Sequence, residues 1–238
     1  YGTDLGDGTR LLPKLLRELC KMDFHWVRLH YLYPDEIDME LIETIASEPK
    51  IVKYLDIPIQ HGSDAVLKRM GRRTSKAQLV DVIRKLRTEI PNIAIRTTLI
   101  TGFPGETQEQ HEELMEFIDE MEFDRLGVFT YSPEEDTAAA RMDDQIEESV
   151  KEDRQADLME LQQEIAFELA EDMIGKEVLV MIEGKVADEN VYVGRTYKDA
   201  PNVDGLIFVE ADVELMSGDF ARVRVTGALE YDLIGEII

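Results

Sequence analysis

Up to about residue 131, the apolar positions of the chain switch repeatedly between the spacing of a helix and that of a strand. Apolar residues three and four apart indicate an amphipathic helix, whereas short unbroken apolar runs indicate buried strands. The pattern predicts strands at 26–33, 52–59, 93–100 and 126–131, with helices before and between them. Strands that alternate with helices favour βαβ units and a parallel sheet. Both an open sheet and part of a (β/α) barrel fit this order.

The pattern changes twice in the second half of the chain. Positions 145–173 have the apolar stripe of one long helix, and its other faces are rich in Glu and Asp, which favours a solvated connecting helix. After Gly175, five short strands are predicted within about 60 residues, which is typical of a small antiparallel β-barrel. We therefore expect three parts: a sheet domain at 1–142, a connecting helix at 143–174 and a β-barrel at 175–238. A unit of the last kind usually binds rather than catalyses.

The charge of the chain argues against a nucleic-acid partner. The net charge is −25, from 26 basic and 51 acidic side chains, and the predicted barrel carries 6 basic and 13 acidic groups, a net charge of −7. Nucleic-acid binding draws much of its affinity from Lys and Arg, so this barrel would repel a phosphate backbone. A basic protein would be attracted instead. Solubility in an acid-rich proteome explains the charge equally well.

Composition limits the class of protein further. Apolar residues make up 44% of the chain, enough for a packed core. No apolar run has the length of a membrane span and no leader peptide opens the sequence, so we expect a cytoplasmic protein that does not bind membranes. Cys20 is the single cysteine, and it lies on the apolar face of a predicted helix. A packed core thiol is the better interpretation, because an iron–sulfur cluster generally takes several thiolates.

Candidate site residues follow the predicted strands, because parallel α/β proteins place their ligands at the carboxyl ends of the strands. Gln60 and Ser63 can hydrogen-bond an adenosine or amino-acid group, although they can also simply close a strand and cap a helix. Glycine at 102 and 105 lets the backbone approach a ligand closely, yet an ordinary turn has the same sequence. The candidates at these ends are Gln60, His61, Ser63, Arg96, Thr98, Gly102, Gly105 and Tyr131. We expect Gln60, Ser63, Arg96 and Gly102 to line one pocket.

One basic cluster stands out in this acidic chain. Lys68, Arg69, Arg72 and Arg73 come at the end of a short predicted helix. The cluster suits contact with a carboxylate of a substrate or cofactor. A surface helix end, where cations complement the helix dipole, is an equally good interpretation.

Four stretches of the sequence, taken in order, resemble the radical S-adenosylmethionine methylthiotransferases. They are YLDIPIQHGS at 54–63, LKRMGRR at 67–73, ITGFPGET at 100–107 and YSPEEDT at 131–137. The segment after Gly175 is similar to the TRAM barrel of these enzymes. The resemblance covers essentially the whole chain. It implies an α/β fold, with a partial (β/α) TIM-like radical SAM barrel followed by a small antiparallel, OB-like barrel.

The resemblance also implies cofactors and a reaction. Enzymes of this family use S-adenosylmethionine and two [4Fe-4S] clusters, and a radical generated from S-adenosylmethionine abstracts hydrogen from the target. By this resemblance the eight strand-end residues contact the cofactor, and Arg72, Arg73, Asp199 and Asp204 contact the substrate. The CxxxCxxC loop of the family does not occur in this sequence. The chain is therefore expected to ligate no cluster, to be inactive alone and to be part of a longer enzyme.

The sequence also indicates a branch of the family. Gln60-His61 and the triplet at 96–98 resemble the branch that modifies an aspartate β-carbon in ribosomal small-subunit protein number twelve. The expected partner is a basic ribosomal protein, in agreement with the charge of the barrel. Two alternatives stay open at this point. One is a transfer-RNA methylthiotransferase of the same family, and the other is a non-catalytic binding module.

Overall fold

A computed structural model describes residues 1–2 and 10–238, and its first part is a parallel sheet covered by helices. The strands are β1 (Val27–Leu29), β2 (Ile51–Asp56), β3 (Ala94–Thr101) and β4 (Arg125–Thr130), in the spatial order β1-β2-β3-β4. The helices are α1 (Leu12–Cys20), α2 (Met39–Ser47), α3 (Asp64–Arg69), α4 (Lys76–Glu89) and α5 (Gln108–Met121). All three strand pairings are parallel. This parallel sheet with its covering helices confirms the predicted α/β fold and fits part of a (β/α) barrel.

The two faces of the sheet have different chemistry because successive strand residues point to opposite faces. Ile95 and Leu99 of β3 lie in the main apolar core, together with residues of the covering helices. Ala94 belongs to a separate cluster on the other face of the sheet, which we call the inner face. The half-buried Arg96 and Thr98 share this face by the same alternation. The inner face therefore carries polar groups, while the outer face forms the core.

The ends of the elements follow the sequence signals closely. Ser75 with Gln78 and Thr107 with Gln110 form reciprocal capping boxes at the starts of α4 and α5. The first strand is shorter than predicted, because Tyr31 adopts a positive φ of 57° that ends the extended backbone. Cys20 packs partly against the main core, and burial raises the pKa of its thiol.

The long helix α6 (Glu148–Glu171) is a packed element of the sheet domain. Leu158 and Ile165 are buried in the main core. The Nε2 groups of Gln155 and Gln162 donate to the main-chain carbonyls of Val128, at 2.7 Å, and Phe123, at 2.8 Å. These contacts cover the free edge of β4, which otherwise exposes unpaired backbone groups. The prediction of a solvated connecting helix is thus right only for its acidic outer faces.

The C-terminal part is a closed five-stranded barrel. Its strands are β5 (Glu177–Lys185), β6 (Val191–Arg195), β7 (Ile207–Glu210), β8 (Phe220–Ala228) and β9 (Leu233–Ile237), in the closed order β5-β6-β7-β9-β8. Buried Val180, Ile182, Ile207, Val209 and Val223 fill the interior. Four of the five pairings are antiparallel and that of β7 with β9 is parallel, so the predicted small antiparallel barrel is confirmed with one parallel pair. Strands that alternate in direction around a closed ring of five must leave one parallel pair.

The length and apolar character of the helices bear on membrane insertion. Among the helices of residues 1–2 and 10–238, none combines the length and apolar character that a membrane span requires.

Candidate active site

The inner face of the sheet carries a cluster of charged groups. Nη1 of Arg96 lies 3.0 Å from Oδ2 of Asp56 on the neighbouring strand, and it donates to Oγ1 of Thr98 at 3.4 Å. Nδ1 of His30 is 4.0 Å from the same Asp56 oxygen. Parallel pairing places these residues side by side, since Asp56 and Arg96 are register partners. The sheet itself therefore positions the cluster.

Part of the hydrogen-bonding capacity of this cluster is unused. Oδ1 of Asp56 and both terminal nitrogens of Arg28 are buried and have no hydrogen-bond partner among the described residues. The guanidinium of Arg28 lies 4.3 Å above the centre of the Tyr54 ring. Burial lowers the pKa of Arg28 and raises the pKa of Asp56. Buried polar atoms are nearly always paired in folded proteins, so these atoms point to a polar ligand or ordered water.

A second network lies at the carboxyl end of β3 and is centred on Glu106. Its Oε2 accepts hydrogen bonds from the main-chain N–H of Gly102, at 2.7 Å, and of Phe103, at 3.2 Å. Nε2 of His61 is 3.6 Å from the same oxygen, and Nη1 of Arg154 on α6 donates to Oε1 at 3.1 Å. The network therefore joins two strand-end loops to the long helix.

Electrostatics keep the Glu106 carboxylate charged. Burial would raise its pKa, but the neighbouring His61 ring, with help from Arg154 and the Gly102 N–H, lowers the pKa below its ordinary value. Sequence reasoning missed Glu106 as a site residue. The available signal was its place directly before the capping residue Thr107, at the end of a Gly-Phe-Pro-Gly turn.

The predicted cofactor residues separate into two groups. Arg96 and Thr98 lie on the inner face, and the Gln60 N–H donates to the Thr98 carbonyl at 3.0 Å. The other group surrounds the Glu106 network: the Ser63 N–H donates to Nδ1 of His61 at 2.9 Å, and both side chains are almost fully buried. The second group also holds Gly102, Gly105 and Tyr131. Cofactor contact by any of these eight residues stays a prediction.

Gly102 and Gly105 allow side chains from other elements to lie close to their backbone. Gly102 has a positive φ of 71°, and Lys151 of α6 occupies the space where its Cβ would lie. Gly105 has a φ of 73°, and the same space beside it is taken by Arg69 and Asp144. Tyr131 is bound to this region as well, because its carbonyl accepts a hydrogen bond from Nζ of Lys151 at 2.9 Å. The close approach that the glycines permit is thus to α6, to the segment before it and to the end of α3.

Arg72 and Arg73 line a cavity of about 410 Å³ at the carboxyl end of β2. The wall opposite them includes Asp35, Glu36 and Tyr33, and the Arg72 guanidinium lies 5.7 Å from the centre of the Tyr33 ring. The cavity therefore presents both signs of charge. Its place at the strand ends agrees with the predicted role in substrate binding, which stays a prediction.

Asp199 and Asp204 lie at the junction of barrel and sheet. Oδ1 of Asp199 pairs with Nη2 of Arg125, and Oδ1 of Asp204 lies 3.3 Å from Nε of Arg96. Both carboxylates are almost fully buried. Their charged partners within the described chain are thus two arginines of the sheet, and substrate contact by either residue stays a prediction.

Comparison with known proteins defines the class to which these two parts belong. Residues 3–118 match the family described as the radical SAM superfamily, and residues 174–238 match the TRAM domain. Coproporphyrinogen III oxidase (HemN) from Escherichia coli, a radical SAM enzyme, superposes with a TM-score of 0.52 over 65% of this chain and 36% of that one, at 22% identity. This structural likeness shows the fold alone.

Curated relatives narrow the class further. The chain is 61% identical to the ribosomal protein uS12 methylthiotransferase RimO of Lachnoclostridium phytofermentans, over 99% of this chain and 53% of the relative. It is 51% identical to the protein of the same name from Caldanaerobacter subterraneus, over 99% of this chain and 53% of that one. The chain is therefore similar to the radical S-adenosylmethionine methylthiotransferases along almost its whole length, and it spans about half the length of the curated relatives it matches.

Proposed function

We propose that this chain is the substrate-binding half of a radical S-adenosylmethionine methylthiotransferase that adds a methylthio group to an aspartate β-carbon of ribosomal protein uS12. The observation that carries the proposal is the 61% identity to such an enzyme along 99% of the chain, through both the sheet and the barrel. A ribosomal substrate implies action in the cytoplasm.

The inner face has the chemistry that S-adenosylmethionine requires. This cofactor carries a carboxylate, an ammonium and a sulfonium group, so its site needs both signs of charge. Arg28 and Arg96 supply cationic donors, while Asp56 supplies a buried acceptor whose Oδ1 is unpaired among the described residues. When bound, S-adenosylmethionine with its iron–sulfur cluster supplies the radical that removes hydrogen from the target. A cluster held by three thiolates needs at least two of them from outside these 238 residues, because the sequence has one cysteine.

The chain's own residues orient the reactants and shield them from water. The Glu106 network fixes the two loops at the mouth of the sheet, because one carboxylate binds main-chain N–H groups and reaches both His61 and Arg154. Arg72 and Arg73 at the same mouth provide donors for a carboxylate of the target. Fixed donors around the reacting atoms lower the barrier mainly by positioning.

The barrel presents a surface suited to a basic protein. Exposed carboxylates of Glu189, Glu210, Asp212 and Glu236 surround a shallow cavity of about 620 Å³ that Val191, Val213 and Ile237 also line. We call this surface the acidic barrel face. Its charge favours a Lys- and Arg-rich ribosomal protein and disfavours transfer RNA, since complementary charge steers association. The side chains of Val191, Val213 and Ile237 provide an apolar surface against which such a partner can pack.

A competition assay tests the proposal. The full-length enzyme, with its clusters reconstituted without oxygen, is incubated with S-adenosylmethionine, a sulfur source, and equal amounts of purified uS12 and transfer RNA. We expect a mass increase of one methylthio group on an aspartate-containing peptide of uS12 and unmodified transfer RNA. Modified transfer-RNA nucleosides with unmodified uS12 would overturn the proposal in favour of the transfer-RNA branch.

A further inference from the structure

The loop that joins β6 to β7 closes one end of the sheet. Residues 196–205 of this loop contact the parts of the sheet domain where β3 and β4 begin. Nζ of Lys198 lies 2.8 Å from Oδ1 of Asp124, and the Tyr197 hydroxyl donates to the Asn92 carbonyl at 2.9 Å. We call residues 196–205 the docking loop.

An apolar contact supports these polar ones. Ala200 of the docking loop is buried against three residues of the inner face, and two aromatic side chains pack around them. The cluster comprises Val52, Tyr54, Ala94 and Ala200, with Trp26 and Tyr197 beside it. The docking loop therefore fills the inner face near the amino ends of the strands, and it leaves the carboxyl ends to the site.

Asp204 is the residue of the docking loop that reaches furthest into the charged cluster. Its Oδ2 accepts from the Tyr54 hydroxyl and from the Ala200 N–H, both at 2.8 Å. Its Oδ1 faces Nε of Arg96 at 3.3 Å, and only 3% of the side chain is exposed. The two hydrogen bonds fix the carboxylate, so the position of the charge beside Arg96 is fixed as well.

Arg96 is consequently held by carboxylates from two different domains. Asp56 of the sheet binds Nη1, while Asp204 of the barrel faces Nε. The remaining nitrogen, Nη2, lies beside Gly127 of β4, and a Cβ there would be 3.7 Å away. Arg96, Gly127 and Asp204 all border a cavity of about 450 Å³. A guanidinium fixed at two nitrogens presents the third in one orientation.

We propose that Asp204 is a positioning residue which, together with Asp56, orients Arg96 for binding the cofactor, so that the barrel completes the cofactor site of the sheet domain. This inference rests on the function proposed above. It gives Asp204 a role within the chain rather than the substrate contact that the family resemblance implies. It also makes docking of the barrel a condition for tight cofactor binding.

Cofactor affinity of the full-length, cluster-reconstituted enzyme tests the inference. Asp204→Asn keeps the size of the side chain and an acceptor oxygen but removes the charge beside Arg96. We expect the Kd for S-adenosylmethionine to rise roughly tenfold, as for loss of a charged hydrogen bond. Tyr197→Phe is the matched control, because it removes one hydrogen bond of the same docking loop without touching Arg96. It should leave the Kd unchanged.

Further variants distinguish failure of this inference from failure of the proposed function. Arg96→Gln should weaken binding at least as much as Asp204→Asn, and the double variant should add little to Arg96→Gln. Tyr54→Phe, a milder change that removes one of the two hydrogen bonds to Oδ2 of Asp204, should raise the Kd by a smaller factor at unchanged Tm. Unchanged affinity in Asp204→Asn together with weakened binding in Arg96→Gln would overturn the inference and leave the proposed function intact. Failure of the full-length enzyme to bind S-adenosylmethionine at all would overturn both.

Discussion

The side-chain carbons of Lys151 lie in the space that a Cβ on Gly102 would occupy. Lys151 belongs to α6 and is itself fixed, because its Nζ donates to the Tyr131 carbonyl and to Glu148, both at 2.9 Å. The absence of a side chain at residue 102 thus allows α6 to lie directly on the loop that follows β3. This contact couples the mouth of the sheet to the long helix.

Gly102→Ala should therefore destabilise the protein by about 2–5 kcal/mol. The left-handed backbone costs a residue with a Cβ about 1–2 kcal/mol, and overpacking against Lys151 adds about 1–3 kcal/mol. Chemical denaturation of the full-length protein measures the difference. Gly71→Ala is the control, since Gly71 has a similar φ of 73° with open space around it. Gly71→Ala should lower the free energy of unfolding only by the backbone contribution of about 1–2 kcal/mol. Equal losses in the two variants would show that the packing against Lys151 is unimportant.

Glu106→Gln should lower stability strongly at neutral pH. Glu106 is fully buried, and its loss leaves the buried Arg154 without its charged partner. Breaking such a pair costs about 3–5 kcal/mol. Thermal unfolding near pH 7 checks the loss, with Glu113→Gln as a control that removes only a surface pair with Lys76.

The loss of stability caused by Glu106→Gln should depend on pH. The pKa of Glu106 is lowered in the folded protein, so its stabilisation is fully present above the ordinary pKa of 4.5 and is lost as the pH falls through the folded value. The difference in Tm between the natural protein and Glu106→Gln should consequently shrink as the pH is lowered below about 4.5. A difference that stays constant down to the acid transition would contradict a charged Glu106.

Neutralising the acidic barrel face should slow association with uS12. A variant with Glu189→Gln, Glu210→Gln, Asp212→Asn and Glu236→Gln loses four exposed charges beside the cavity. We expect the association rate at low salt to fall about tenfold, because electrostatic steering acts mainly on this rate. Surface plasmon resonance measures it.

A matched control removes the same number of charges elsewhere. Glu152, Glu160, Glu164 and Glu168 are exposed on α6, and their change to Gln alters the net charge equally. This control should slow association much less. If both variants behave alike, the overall charge of the protein attracts the partner and the barrel face has no special role.

Arg72→Gln and Arg73→Gln should raise the KM for uS12 and leave the Kd for S-adenosylmethionine unchanged. Both arginines line the cavity at the end of β2, whereas the charged cluster of the inner face surrounds Asp56 and Arg96. Each lost charged contact should raise KM roughly tenfold. Arg84→Gln, which removes only a surface pair with Glu120, serves as the control. Weakened cofactor binding in the arginine variants would place them in the cofactor site instead.

The fold could be predicted well from sequence because its signals are local. Apolar runs located the four parallel strands. The starts of α4 and α5 have a local signal too, because Ser75 and Thr107 are each followed three positions later by a glutamine. The packed role of α6 could not be predicted in this way, because Gln155 and Gln162 look like ordinary surface residues until the free edge of β4 is beside them.

The candidate site was harder to predict, because its residues come together from distant parts of the chain. Arg96 was a candidate as a strand-end residue, but it lies near the start of β3. A sequence pattern offers no means of bringing Asp204 to it from more than 100 positions away. Glu106 was overlooked because its partners, His61 and Arg154, come from distant parts of the chain. Long-range ion pairs of this kind leave no periodic pattern.

The most direct test of the proposed activity is the mass of uS12 in cells of the source organism. Ribosomes are isolated from the natural strain, from a strain lacking the gene for the full-length protein, and from the deletion strain carrying that gene again. We predict that one aspartate-containing peptide of uS12 loses the mass of a methylthio group on deletion and regains it on complementation. An identical uS12 mass in all three strains, with a change in the methylthio nucleosides of transfer RNA, would contradict the assignment of uS12 as the substrate.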